Sequence, residues 1–217
     1  MADSAAGIYL IRHADALPEA GVALEDGARY DDLRLSARGR EQAALLAKRL
    51  LRTVPLVAVY ASPAFRALAT AQAVAERFDY EVGVDERLRE VGLAHESVDH
   101  LPAHERAAAV RAQLEMLARL AMREGSWSSL PGTEAGAGIR SRMRAAVEDV
   151  SGRHPDGAVA VVSHAGSINA FVADVLEIER DFFFPTGNTS ITLVRIASNR
   201  RVLVRLNDTA HLERQAE

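Results

Sequence analysis

Short apolar segments alternate with helical segments along this chain, and this alternation constrains the fold more than any other sequence feature. Segments rich in Val, Ile and Leu predict buried strands, whereas apolar residues spaced three and four apart predict amphipathic helices. The predicted strands cover about 7–12, 56–60, 80–84, 158–163, 190–197 and 201–207. The predicted helices cover about 37–52, 63–78, 103–123, 134–153 and 166–177.

This order predicts an α/β protein, a three-layer α/β/α fold whose mostly parallel central sheet is covered by helices on both faces. The last two strands are joined by a very short connection, which predicts an antiparallel strand at one edge of the sheet. The alternation is interrupted between about 86 and 155. We therefore expect residues 1–217 to form a single domain with a helical cap insertion at about 92–130.

Composition and charge narrow the function class. The chain has no cysteine, which excludes disulfides and thiolate metal sites. It carries 26 basic and 30 acidic residues, so we expect no nucleic-acid partner. No apolar run is long enough to cross a membrane, and the first residues do not resemble a secretory signal. We therefore expect a cytoplasmic protein without a membrane partner.

Polar residues follow three of the predicted strands directly. The first strand ends on Arg12 and His13, and a similar apolar strand ends on His164 at the start of a helix. Ser62 follows the second strand, and Arg66 lies on the first turn of the helix after it. Because the carboxyl ends of parallel strands meet at one edge of a sheet, these groups are expected to converge. Guanidinium groups and helix N-termini at one edge predict a pocket for phosphate.

A histidine in such a pocket either stabilises charge or attacks phosphorus through a neutral ring nitrogen. The leaving alcohol then needs a proton from a carboxylic acid. Glu90, just after a predicted strand, is the first candidate for this acid, and Asp15 is the second. Taken singly, these residues have plainer interpretations: His164 as a structural histidine, Glu90 as an ion-pair partner and Arg66 as a surface residue. The hypothesis depends on their joint arrangement.

Other chemical signatures are weak. The glycine-rich segment 132–138 lacks a preceding strand and a Lys-Ser/Thr ending, so it does not predict a nucleotide-binding loop. Ser62 and Ser163 lack the Gly-x-Ser-x-Gly pattern of many serine hydrolases. His100 and His104 have no second ligand pair nearby. We expect no metal and no organic cofactor.

Six blocks of the sequence resemble, in the same order, those of the histidine phosphatase superfamily, the phosphoglycerate mutase-like proteins. The family begins with Arg-His-Gly after a strand and ends its core with Ser-His-Gly-Gly. The corresponding blocks are Arg12 to Ala14, Leu35 to Ala43, Ser62 to Ala71, Leu88 to Glu90, Pro131 to Glu134 and Ser163 to Gly166. The chain departs from the common pattern after His13, where Ala14, Asp15 and Ala16 replace Gly-Glu-Thr, and at 92–96.

The resemblance implies that His13 is the phosphorylated nucleophile. It also implies that Arg12, Arg66 and His164 hold the phosphoryl group and that Glu90 donates the proton. The implied function is metal-independent hydrolysis of a small-molecule phosphomonoester through a phosphohistidine, by a histidine acid phosphatase-like enzyme whose pocket also accepts a phosphate or sulfate ion.

Three other functions fit the sequence. One is phosphoryl transfer of the phosphoglycerate mutase type, although the cap has no extra basic insertion for a second phosphate. Another is a non-catalytic phospholigand-binding or regulatory module, and a third is dephosphorylation of phosphohistidine on a partner protein, indicated by Asp15. A homodimer could form through the last hairpin, with Val194, Ile196, Val202 and Val204 along its faces.

Overall fold

The alternating strands and helices of the sequence form one mixed sheet between two helical layers. The computed structural model describes residues 5–17, 33–92, 98–130, 132–197 and 200–213. Its strands are β1 (Ala6–Arg12), β2 (Leu56–Ala61), β3 (Val82–Val84), β4 (Ala158–Ser163), β5 (Ile191–Ala197) and β6 (Arg200–Asp208). Its α-helices are α1 (Ala37–Thr53), α2 (Phe65–Ala75), α3 (Ala103–Glu124), α4 (Gly136–Arg153) and α5 (Ala165–Val175).

The strand order β3-β2-β4-β1-β5-β6 confirms the predicted three-layer architecture. β1 and β2 each pair in parallel with β4, and β3 pairs in parallel with β2. β5 runs antiparallel to β1, and β6 pairs antiparallel with β5 at the edge. This order places the carboxyl ends of β2, β4 and β1 side by side.

The sheet is buried on both faces because its central strands are apolar at consecutive positions. Along β4, Val159 and Val161 pack with α4 and α5. Ala160 and Val162 point to the other face and pack with α1 and α2. Phe171 of α5 is fully buried, and burial of such a side chain contributes about 1.5–3 kcal/mol.

α1 begins where the sequence predicts it. Ser36 is the N-cap, and its hydroxyl accepts a hydrogen bond from the backbone N–H of Gly39. Leu46 and Leu50, one turn apart, are fully buried, so one face of the helix covers the sheet. α2 begins at Phe65, two residues after the predicted start at Pro63, because the backbone of Ala64 is still extended.

α3 differs from the other helices in how little of it is buried. Within its 22 residues, Arg106, Ala107 and Ala121 are the buried ones. α4 instead packs on the sheet through Ile139 and Met143. α3 therefore makes up most of the described residues in the predicted cap at 92–130. The division of the chain into a core and this cap remains a prediction. Residues 93–97 of that cap, and Pro131 of the fifth sequence block, lie outside the described residues.

The hairpin positions divide between core and surface. Val194 is fully buried and Ile196 packs against the core, so neither is free to line an interface. Val202, Val204 and Leu206, on the edge strand β6, are exposed. Among the described helices, none is both long enough and apolar enough to cross a membrane.

Candidate active site

The ends of β1, β2 and β4 bring three of the predicted site residues together. His13 directly follows β1, Ser62 follows β2 and His164 follows β4. The ladder continues past the strands, since His13 N–H donates to Ser163 O at 2.9 Å and Ser62 N–H donates to Val162 O at 3.0 Å. The backbone of His13 and of Ser62 is therefore fixed by hydrogen bonds to β4.

Arg66 joins the two histidines. Its Nε donates to His13 Nε2 at 3.2 Å, and its Nη2 lies 3.1 Å from His164 Nδ1. The two imidazole rings are 5.1 Å apart between centroids. Arg66 is completely buried, because the first turn of α2 directs its side chain under the strand ends. The interpretation of Arg66 as a surface residue is wrong.

The hydrogen bonds determine which imidazole nitrogens carry protons. A guanidinium can only donate, so His13 Nε2 and His164 Nδ1 must both accept. His13 Nδ1–H then donates to Ala14 O at 2.8 Å, and His164 Nε2–H donates to Ser62 Oγ at 2.8 Å. His13 thus has one unprotonated nitrogen, whose lone pair accepts from Arg66 and becomes available for attack when the guanidinium turns to a phosphoryl oxygen, and one nitrogen held as a donor.

Both histidines are kept neutral by their surroundings. Burial lowers the pKa of His13 well below its usual value, and the positive charges of Arg66 and Arg12 lower it further. Burial also lowers the pKa of His164, with Arg66 as the next largest cause. A neutral imidazole keeps the lone pair that attack on phosphorus requires.

Arg12 completes the positive end of the site. One of its terminal nitrogens donates to the carbonyl oxygen of Thr186. Its Nε is buried and, within the described part of the chain, makes no hydrogen bond. A buried donor without a partner is costly, so a bound anion would stabilise this end of the site.

Glu90 lies at the N-terminus of α5. Its Oε1 accepts from the backbone N–H groups of Val91 at 3.0 Å and Ser167 at 3.1 Å. Its Oε2 accepts from Gly166 N–H at 3.4 Å. These backbone N–H groups, which the first turn of a helix leaves without helical partners, fix the position of the Glu90 side chain. Glu90 is therefore a helix cap facing the site rather than the exposed ion-pair partner of the plainer interpretation.

Arg142 fixes the backbone around Glu90, donating to Glu90 O at 3.2 Å, and Gly166 leaves room for the Glu90 side chain. Arg142 donates to the carbonyl oxygens of Arg87 and Arg89, both at 2.7 Å, and forms an ion pair with Glu134 at 2.8 Å. A Cβ at Gly166 would lie 2.8 Å from Glu90 Oε1, too close for ordinary contact. Trp127 and Val91 would each lie 2.7 Å from that Cβ, so the glycine of the Ser-His-Ala-Gly block is required by the packing of all three side chains.

Asp15, the second candidate acid, is hydrogen-bonded to α1. Ser36 Oγ donates to its carboxylate at 2.6 Å, and Gln42 Oε1 accepts from its backbone N–H at 2.9 Å. A Cβ at Gly39 would lie 2.0 Å from Asp15 O, so the chain passes directly against the helix there. Asp15 therefore connects the loop after β1 to the N-terminus of α1.

The sequence did not predict the role of the loop at 186–189. Thr186 O binds the Arg12 guanidinium, and Asn188 Nδ2–H donates to His13 O at 3.2 Å. Thr189 N–H donates to Arg12 O at 3.0 Å. The Gly187-Asn188 dipeptide is a turn signal, but nothing in it indicates contact with residues 174 positions earlier.

The backbone of this loop is strained at Thr189, and hydrogen bonds from Asn207 and His211 hold it in place. Thr189 is a β-branched residue at a positive φ of 54°, a conformation that costs about 1–3 kcal/mol. Its hydroxyl lies 3.0 Å from His211 Nε2. Asn207 accepts from Gly187 N–H at 2.8 Å and donates to Pro185 O at 2.9 Å. We call Asn207 and His211 the C-terminal clamp.

A cavity of about 210 Å³ opens beside these groups. The polar residues that line it are Arg12, His13, Asp15, Glu90, Glu115 and Asn188. The other lining residues are Ala16, Leu17, Leu114, Leu117, Ala118, Trp127, Ala165, Gly166 and Phe182. The candidate nucleophile, both candidate acids and Arg12, a candidate phosphate-binding residue, therefore border one space, with Arg66 and His164 buried behind it. In the described ranges, no three His, Asp or Glu side chains are grouped as metal ligands.

Comparison with known proteins identifies similar chains. Residues 8–209 match the histidine phosphatase superfamily, branch 1. The chain is 29% identical to phosphoserine phosphatase 1 of Hydrogenobacter thermophilus, over 94% of this chain and 93% of that one. It is 31% identical to glucosyl-3-phosphoglycerate phosphatase of Mycolicibacterium vanbaalenii, over 80% and 76%. Among solved structures, YhfR of Bacillus stearothermophilus superposes with a TM-score of 0.75 at 24% identity, over 96% and 100%.

Proposed function

Because the chain belongs to the histidine phosphatase superfamily, we propose that it hydrolyses phosphomonoesters through a phosphohistidine on His13. The observation that carries this proposal is the neutral His13, whose Nε2 accepts from the buried Arg66 and whose Nδ1–H is held by Ala14 O. Phosphatases among the similar proteins support hydrolysis as the reaction.

The reaction would proceed in two steps. His13 Nε2 attacks phosphorus while Arg12, Arg66 and His164 hold the phosphoryl oxygens. The bond from phosphorus to the ester oxygen breaks, and the protonated carboxyl of Glu90 transfers its proton to the leaving alcohol. Water then attacks the phosphohistidine, Glu90 takes up one of its protons, and phosphate leaves as the P–N bond breaks.

The charges around the cavity favour a phosphatase over a mutase. A mutase must hold a second phosphate, which requires further cations next to the first group. Of the described residues that line the cavity, only Arg12 is a permanent cation, whereas Asp15, Glu90 and Glu115 are acidic. These carboxylates would repel a second phosphate, whereas hydrolysis requires only a water molecule in the cavity.

The first test removes the nucleophile. We expect His13→Ala to lower kcat/KM for an aryl phosphate at least about 1,000-fold, because the covalent route is lost. Wild-type protein quenched in alkali during turnover, where the P–N bond of phosphohistidine is stable, should carry phosphate on His13, detected by peptide mass spectrometry under non-acidic conditions. His104→Ala, at an exposed histidine, serves as control.

The outcomes separate the alternatives. Turnover retained by a folded His13→Ala variant would exclude the phosphohistidine mechanism. Wild-type protein that binds phosphate but forms no phosphohistidine would support the binding module, and isomerisation of phosphoglycerate faster than phosphate release would support the mutase. Turnover of a phosphohistidine protein in preference to small esters would support the protein phosphatase.

We also propose that the protein acts in the cytoplasm and that two copies pair through the edge strand β6. The exposed side chains of Val202, Val204 and Leu206 favour this pairing. Val204→Asp should convert a dimer to a monomer in sedimentation experiments. A monomeric wild-type protein would contradict the pairing.

A further inference from the structure

The cavity beyond the phosphoryl group differs in chemistry from the phosphate-binding end. Arg12 and Arg66 are at the end formed by the strands. Three carboxylates also line the cavity: those of Asp15 and Glu90, and that of Glu115 on α3, which pairs with Arg119 of the same helix at 3.3 Å. No described cationic side chain borders the space that the alcohol part of a substrate would occupy.

The remaining wall is apolar. Leu114, Leu117 and Ala118 are spaced three and four apart on α3, so they form one face of that helix over the cavity. Trp127 and Phe182 continue this surface, with ring centroids 5.5 Å apart in an edge-to-face arrangement. Both rings are more than nine-tenths buried, which fixes the shape of the wall.

We propose that the substrates are monoesters of small, uncharged alcohols with an apolar face, such as aryl and short alkyl phosphates, and that alcohols bearing a carboxylate are disfavoured. This inference rests on the proposed function. A carboxylate placed against Leu117 and Trp127 would lose hydration without gaining a cationic partner among the described lining residues. Asp15 would also repel it. The similarity to phosphatases named for phosphoserine and glucosyl-3-phosphoglycerate therefore does not extend to the alcohol group.

A matched pair of substrates tests this directly. Para-ethylphenyl phosphate and para-carboxymethylphenyl phosphate have nearly the same size and leaving-group acidity, and they differ by one carboxylate. We expect kcat/KM of the wild-type protein to be at least about tenfold higher for the ethyl compound, a difference of about 1.4 kcal/mol in transition-state binding. Phosphoserine should be hydrolysed still more slowly, because its alkyl leaving group is also poorer.

A positive charge introduced into the apolar wall of the cavity should reduce the preference for the ethyl over the carboxymethyl substrate. Leu117→Arg places a cation in the apolar wall, and we expect it to reduce the ratio between the two aryl substrates at least about fivefold. Met116→Arg is the matched control, because Met116 is the adjacent residue of α3, is 56% exposed and does not line the cavity. It should leave the ratio unchanged. Ala118→Lys, at an exposed position of the same face, repeats the test if Leu117→Arg does not fold.

The outcomes distinguish this inference from the proposed function. Equal hydrolysis of both aryl esters, or faster hydrolysis of the carboxylate, would overturn the substrate class while leaving the phosphatase activity intact. An equal change of the ratio in Met116→Arg would show that general charge, not the wall, determines the preference. Release of no phosphate from either ester would instead overturn the proposed function.

Discussion

Arg66 is the single residue on which the geometry of the site depends most. A fully buried guanidinium is costly, and here it lies between two imidazoles. That arrangement keeps His13 Nε2 deprotonated, and under the proposed function it would give phosphate a cation that water does not screen. Lysine would keep the charge but lose the fork that reaches both rings, so this position is specific for arginine.

The identity of the proton donor is tested by leaving-group dependence. We expect Glu90→Gln to slow an alkyl phosphate about 100-fold or more, because a poor leaving group needs the proton, while para-nitrophenyl phosphate is slowed much less. Steady-state rates on both esters give the comparison. Glu115→Gln, at another carboxylate of the same cavity, should affect the two esters equally.

For Asp15→Asn we expect no dependence of the rate loss on the leaving group, in contrast to Glu90→Gln. Its carboxylate accepts from the N-cap Ser36, so the substitution should cost about 1 kcal/mol of stability and should change both esters alike. A leaving-group dependence found with Asp15→Asn and not with Glu90→Gln would reverse the assignment of the acid.

At the scale of elements, the loop at 186–189 connects the C-terminal clamp to Arg12 and His13. His211 Nε2–H donates to the hydroxyl of Thr189, which in turn donates to Asn188 O at 2.8 Å. Burial lowers the pKa of His211 to about 4, so it is a neutral donor near pH 7. The clamp balances the strain at Thr189 and is a positioning element, since it contacts no reacting atom.

The clamp is tested at His211. We expect His211→Leu to lower kcat/KM about tenfold and to weaken inhibition by inorganic phosphate, because Arg12 is no longer held by the loop. His211→Gln retains an N–H donor and should recover part of both losses. Glu213→Gln, at an exposed residue two positions later, is the control. Loss of thermal stability with unchanged phosphate inhibition would show that the clamp is structural alone.

At the scale of the whole molecule, the buried histidines make stability depend on pH. The pKa values of His13, His164 and His211 are lowered mainly by burial. The unfolded chain therefore takes up protons near pH 6.5 that the folded protein does not, and the free energy of unfolding falls as pH falls below that value. Asp85 and Asp208, whose pKa values are also lowered, add a further loss only below about pH 4.

Urea unfolding between pH 7.5 and pH 5 measures this effect. We expect the unfolding free energy to decrease steadily over that range and the His13→Ala variant to show a smaller slope. His104→Gln, at an exposed histidine, should leave the slope unchanged. A pH-independent stability between pH 6.5 and 5 would contradict the neutral state of the three histidines.

Much of the fold could be predicted because its causes are local. The Ser36 cap and the spacing of Leu46 and Leu50 identify α1 from neighbouring residues alone. Apolar strands with polar residues at their ends likewise predict that His13 and His164 converge, since parallel strands leave few alternatives. The differences from the structure concern burial: the plainer interpretation left Arg66 exposed, whereas it is enclosed, and Val194, expected along the hairpin face, belongs to the core.

Sequence pattern is enough to predict the alternation of elements, the edge of the sheet at which the candidate site lies and the residue types available there. The contacts of those residues follow from the three-dimensional packing. Glu90 at the N-terminus of α5, Asp15 against α1, the loop at 186–189 behind Arg12 and the apolar wall from α3 all depend on contacts between segments far apart in the chain. Periodicity and capping arise from neighbours a few residues apart, whereas protonation, strain and substrate preference arise from packing.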